Sequence, residues 1–384
     1  MQSLTARRLR WAVPFAAGAA VAAAAILPGV ASGSDHPNLP ARSAQQLLTD
    51  LLEVRAPALS GTVVETAHLG LPELPTPAGG GSADLSWPNL VTGSHTLRVW
   101  VDGPEKQRVA LIGELAESDY VHDGSNVWLY SSSANEATRI TVPADAGKAA
   151  EDQVTKQLPT PAEAAAQAIA AITPTTKVSV DATARVAGRP VYQLVLEPKD
   201  SRTLVGKVSI AVDSDTNVPL RVQVYARGSS SPAFETGFTD VTFGAPPASV
   251  FHFIPPTGAK VTTATAGDVL SGRRSASGGA VRMVKPGTLM PADVPSKQYS
   301  PNQPRTRKIG EGWTTVVVTD GTAGLGVGSP RELSSLMDAF TAVPGGRLLS
   351  TALVSVLLTD DGKMYVGAVT PAALQQVAKT GRPL

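Results

Sequence analysis

From residue 178 to 253 the chain reads as strands and turns alone, and no other stretch restricts the possible folds so strongly. Gly188-Arg189-Pro190, Asp213-Ser214-Asp215 and Gly228-Ser229-Ser230 divide it into alternating runs: Tyr192, Leu194, Leu196; then Val208, Ile210, Val212; then Leu220, Val222, Val224. Successive strands joined by short turns pair antiparallel, and alternation with period two gives such a sheet one apolar face that has to be covered.

The rest of the fold class follows from what flanks this stretch. Gly61 to Leu69 alternates weakly as a strand, and three short strands fit between Leu97 and Tyr130, separated by Gly103-Pro104 and by Asp123-Gly124, the second a strong hairpin signal. Ser43-Ala44-Gln45-Gln46 forms a capping box ahead of Leu47, Leu48, Leu51 and Leu52 and predicts a helix over about 43–54. Thr160-Pro161-Ala162-Glu163 places an N-cap, a proline and a glutamate in order and predicts a helix from Pro161 to Ile172. The reading is α+β: an open antiparallel sheet with one face covered by two helices. Residues 71–88 and 143–157 read as loops.

At the N-terminus Arg7, Arg8 and Arg10 precede the uncharged run Trp11 to Val30, and Val30-Ala31-Ser32 offers small residues for cleavage. Residues 1–32 are therefore expected to be a signal peptide or signal anchor, and the protein extracytoplasmic. The domain built on this sheet is expected over 41–262. Residues 263–310, rich in Gly, Ser, Pro and basic side chains, read as a flexible linker in which Arg305, Arg307 and Lys308 are solvated. A small α+β domain is expected over 311–384, with a strand Trp313 to Thr319, a helix opened by Ser329-Pro330-Arg331-Glu332, strands Leu348 to Thr359 and Met364 to Ala368, and a last helix capped by Thr370-Pro371.

Composition removes several function classes. Net charge is +1 in 384 residues, which offers no electrostatic grip on nucleic acid, and with no cysteine there are no thiol nucleophiles, thiolate metal sites or disulfides. The five histidines show no metal-ligand spacing, so neither a metal nor a cofactor is expected. His122-Asp123 is explained by a hairpin turn with an exposed His, not by a catalytic pair. Gly324-Leu325-Gly326-Val327-Gly328 lacks both the dinucleotide spacing and a phosphate-loop lysine. The expectation is a non-enzymatic protein.

Four pieces together resemble the lipoprotein carriers of the LolA type. They are Trp100-Val101 before a turn with Pro104; the hairpin Asp123-Gly124 followed by Trp128 and Tyr130; Leu196-Glu197-Pro198-Lys199 closing a strand; and Phe251 to Gly258, which matches Phe-x-Phe-x-Pro-Pro-x-Gly. At the position before the turn proline, where many carriers place an arginine, this chain has Gly103. A second likeness, to proteins of the MucB/RseB type, rests on Thr319-Asp320-Gly321-Thr322-Ala323 and on Gly367 to Pro371. The resemblance implies a LolA-like half-barrel that holds a lipid, acyl group or lipoprotein. In the two-domain form it implies a regulator whose C-terminal domain touches a membrane-bound anti-sigma factor.

An apolar face that its helices cover only partly can accept an acyl chain, since each buried methylene contributes about 0.8 kcal/mol. The candidate lining residues are Leu97, Val99, Trp100, Val109, Leu111, Trp128, Tyr130, Tyr192, Leu194 and Leu196. Alternation leaves open which strand face points inward.

Overall fold

In the computed structural model, which describes residues 37–53, 57–70, 92–113, 115–141, 160–265, 306–320 and 337–384, the capping box at Ser43 forms as read. Ser43 Oγ accepts from the Gln46 amide at 3.1 Å, and Gln46 Oε1 accepts from the Ser43 amide at 2.8 Å. This starts α1 (Ala44–Glu53). The second helix, α2 (Pro161–Ala170), begins at the predicted proline and stops two residues short of Ile172.

Twelve strands make one sheet: β1 (Leu59–His68), β2 (Thr92–Val101), β3 (Lys106–Ile112), β4 (Glu117–Asp123), β5 (Asn126–Ser131), β6 (Glu136–Thr141), β7 (Thr176–Val186), β8 (Arg189–Pro198), β9 (Val205–Asp213), β10 (Pro219–Ala226), β11 (Pro232–Phe243) and β12 (Lys260–Thr265). Their order is β12-β6-β5-β4-β3-β2-β1-β11-β10-β9-β8-β7. Every pair is antiparallel except β12 with β6, which runs parallel, with Lys260 opposite Glu136. β6 and β12 were not legible in the sequence, and β12 crosses the expected boundary at 262.

The sheet is open and curled. Cα atoms of β7 and β11 come within 8 Å, although four strand spacings would hold them roughly 19 Å apart in a flat sheet. Bulges at Thr62/Val63, Val224/Tyr225 and Asp181/Ala184 contribute to the bend.

A second sheet holds β13 (Thr306–Ile309), β14 (Val316–Asp320), β15 (Thr341–Val343), β16 (Gly346–Ser350), β17 (Ser355–Thr359) and β18 (Lys363–Gly367), in the order β13-β14-β18-β17-β16-β15. The helix α3 (Pro371–Thr380) buries Ala373, Leu374 and Val377 against one face of it, and the Thr370 hydroxyl accepts from the Ala373 amide. The expected strand at Trp313 begins later than read: Gly312–Thr314 is a 3-10 turn. Arg307 and Lys308, expected in a solvated linker, are part of edge strand β13 and pair with Val318 and Val317. The expected signal segment, the loops at 71–88 and 143–157, residues 266–305 of the linker, the helix at Ser329 and the glycine run at Gly324 lie outside the described residues.

Residues 37–384 form one compact unit, because the two sheets are joined by backbone. Thr203 bridges Val369; the Leu204 amide donates to the Ala368 carbonyl (2.9 Å), Thr370 to Arg202 (2.8 Å) and Ala352 to Leu69 (2.8 Å). The buried indole of Trp313 donates to Thr176 Oγ1 at 2.9 Å. Gly312 makes this approach possible: it has φ 53°, and a Cβ there would lie 2.2 Å from the Thr173 methyl.

Candidate ligand-binding face

Strand alternation and register decide which side chains share a face. On β1, Leu59, Val63, Glu65 and Ala67 point one way and all are buried. Register carries that face sideways: Val63 pairs with Leu97, Leu97 with Leu111, Val99 with Val109, and Val109 with Tyr120. In the other direction Glu65 pairs with Thr236, Thr236 with Val222, Val222 with Ile210, and Ile210 with Leu194. This is the inner face.

Two apolar clusters occupy it. One joins Leu59, Val63, Leu97, Val99, Val109, Leu111, Tyr120, Val127 and Ile140, and packed with them are Val186, Val191, Ala211, Val218, Leu220 and Phe238 from the β7–β11 half of the sheet. The other joins Tyr192, Leu194, Leu196, Val208, Ile210 and Val222 to Leu47 and Leu51 of α1, Ala165 and Ala168 of α2, and Trp313, Leu353 and Ala368 of the C-terminal part. Among the described residues, helices pack only against the second. The Tyr192 hydroxyl is tied to α1's approach by donating to the Pro40 carbonyl at 2.8 Å.

Seven of the ten residues expected in the groove are therefore on the inner face: Leu97, Val99, Val109 and Leu111 in the first cluster, Tyr192, Leu194 and Leu196 in the second. The structure does not bring Trp100, Trp128 and Tyr130 to them. Each is one residue out of phase with Val99, Val127 or Leu129, so each points outward. Phe253 lies 5.4 Å from Trp128 and 5.5 Å from Tyr130, ring centre to ring centre, and the Arg108 guanidinium lies 5.4 Å over Trp100. The segment carrying the Phe-x-Phe pattern thus caps the outer side of the barrel, with Phe251 buried against β3 and β4. Two openings of about 220 and 300 Å³ also lie on the outer side, beside Trp128 and Arg139 and beside Arg221 and Glu235.

The hairpin motif has a structural use on both faces. Asp119 accepts from Arg108 Nε at 2.8 Å on the outer side, while Tyr120 enters the inner core. His122, expected to be exposed, is buried, and its Nε2 lies 2.8 Å from the Gly124 carbonyl. Strand alternation turns it inward with Tyr120, which overrides its place beside a turn.

The residue that sequence reading passed over is Glu65. Its side chain is 0 % exposed and both carboxyl oxygens are without a hydrogen-bond partner among the described residues. It sits between the clusters, in register with His95 on β2 and Thr236 on β11. Burial pushes its pKa up from 4.5 to about 8. The signal available in the sequence was an acid in the apolar phase of a strand, Val63-x-Glu65-x-Ala67.

Asp213, also fully buried, is the opposite case. Burial by itself would raise its pKa, but a two-pronged pair with Arg189 (2.5 and 3.0 Å) and donation from the Thr216 amide and hydroxyl outweigh that and hold it below the usual value. Among the described residues no cluster of His, Asp and Glu could hold a metal ion.

Comparison with known proteins returns a family model described as "Predicted periplasmic protein (DUF2092)", matched over residues 87–263. No curated protein matches. Among solved structures, the MucA/MucB complex of Pseudomonas aeruginosa is similar at 16% identity, with 87% of this chain and 96% of that one covered and a TM-score of 0.41. A LolA superfamily protein from Nitrosomonas europaea is similar at 13% identity over 56% of this chain and 99% of that one, with a TM-score of 0.22. An uncharacterized conserved protein from Thermus thermophilus is similar at 12% identity over 58% and 99%, with a TM-score of 0.33.

Proposed function

We propose that this chain is an extracytoplasmic, non-enzymatic binding protein that takes the acyl chain of a lipid or lipidated protein against the inner face of its half-barrel. The observation that carries this reading is the extent of that face: apolar side chains continue from β8 to β5, while the described helices pack against only one of its two clusters. The resemblance to lipoprotein carriers and the description of the family model support the same compartment and class. In this reading 1–32 is the export segment, the half-barrel covered by α1 and α2 runs from 41 to the end of β12 at Thr265, and the second domain begins with β13 at Thr306.

Val63, Leu97 and Leu111 are fully buried on the inner face of the curled sheet, so uptake requires the face to part. A chain of about a dozen methylenes returns roughly 10 kcal/mol of gross transfer energy, from which ordering and opening costs are subtracted. Native mass spectrometry of the full chain after mild extraction tests the reading. Copurifying acyl species are expected; a chain that stays ligand-free after incubation with acyl lipids overturns it.

A second reading, a regulator that docks on a membrane-bound partner through residues 311–384, is favoured by the backbone hydrogen bonds between the sheets. They would pass a change in the half-barrel to the smaller sheet. Recovery of one specific membrane protein by the full chain, without acyl species, distinguishes it.

A further inference from the structure

The inner face would be more stable without Glu65. A carboxyl at 0 % exposure with no hydrogen-bond partner among the described residues costs free energy that an apolar residue of similar size would not, and such costs concentrate at sites that use them. Its surroundings make the site specific. Along β1 it is flanked by Val63 and Ala67; across the sheet its neighbours are His95 and Thr236, beyond which Val222, Ile210 and Leu194 continue the row. The same face is apolar on either side along the strands, with Leu97 and Phe238 beside Val63 and Phe234 beside Ala67.

His95 is the titratable side chain in register with it, but neither carboxyl oxygen has a hydrogen-bond partner among the described residues, so the desolvation of a carboxylate is not offset and the group is held as the neutral acid, with one O–H to donate. A charged headgroup brought to the same depth would have to be stripped of water too. The complement of a buried O–H between two apolar stretches is a neutral carbonyl between two hydrocarbon arms.

We propose that Glu65 is the polar anchor of the inner face and that it selects ligands carrying an acyl ester, its carboxyl donating a hydrogen bond to the ester carbonyl. This rests on the reading of the inner face as an acyl-binding surface, and adds to it the ligand's chemical class and the residue that recognises it.

Octyl octanoate and heptadecane, matched in length but differing in the ester, are the probes. Affinities are measured by displacement of an environment-sensitive dye from the full chain, and the ester is labelled with ¹³C at its carbonyl for NMR. One net hydrogen bond predicts a preference of roughly three- to tenfold for the ester in the native protein, with a downfield carbonyl shift on binding. Glu65→Leu, which removes a buried unpartnered group and so is expected to fold, should bind both probes equally and lose the shift. Glu65→Gln, which keeps a donor, should retain part of both. An ester preference and shift unchanged in Glu65→Leu overturn the anchor while leaving acyl binding intact. If the native protein binds neither probe, the acyl-binding reading fails and the anchor with it.

Discussion

Glu65→Gln isolates the consequence of burying one carboxyl in the half-barrel. The native group has its pKa raised from 4.5 to about 8 by burial. Between those values the folded state holds a proton that the unfolded chain has lost, so stability falls as pH rises, by up to about 1.4 kcal/mol per unit. Over the full interval the loss sums to roughly 5 kcal/mol, and above pH 8 it levels off. Glutamine has nothing to ionise. The stability difference between variant and native protein, from denaturant midpoints at pH 5, 6, 7 and 8, is expected to widen steadily in favour of the variant, and groups common to both cancel. Parallel curves from pH 5 to 8 would refute the reasoning, because they would mean that Glu65 ionises as readily in the fold as in water.

Asp213→Asn is expected to cost roughly 3 kcal/mol at pH 7 by leaving Arg189 without its buried partner. Since the folded pKa is lowered, that stability is present above 3.8 and is lost as pH falls through the folded value, so chemical denaturation should show the gap closing in acid. Trp313→Ala removes a buried indole and its bond to Thr176 and should destabilise by about 3–5 kcal/mol, with faster amide exchange at Leu204 and Thr370, where the two sheets join. Trp128→Ala on the outer face should leave octyl octanoate affinity within about twofold, whereas Leu111→Asn on the inner face should lower it about tenfold or more, since a buried amide without partners opposes apolar contact.

Turns, caps and alternating runs are local, and these were legible. Ser43 and Gln46 cap each other as their spacing requires, and Tyr192, Leu194 and Leu196 share a face because strand period allows nothing else. What the chain could not disclose was non-local. Trp100, Trp128 and Tyr130 are aromatic enough for a groove, but their phase relative to Val99 and Val127 places them outward, and only pairing across strands fixes which phase is inner. β6 and β12 went unseen because Glu136–Thr141 and Lys260–Thr265 are short and half polar; they become strands by pairing with each other and, for β6, with β5. β13 was hidden in a basic stretch for the same reason, its stability coming from β14. Glu65 was in plain view as a residue. Its burial depends on β2 and β11, which lie more than twenty and more than a hundred and sixty residues further along the chain.

The central claim is that the inner face, and not the aromatic outer side, receives an acyl chain. Photo-crosslinking the full chain with a diazirine-bearing acyl ester, followed by peptide mass mapping, tests it directly. Labels on Val63, Leu97, Leu111 or Tyr120 are the predicted result, whereas labels confined to Trp100, Trp128, Tyr130 or Phe253 would contradict it.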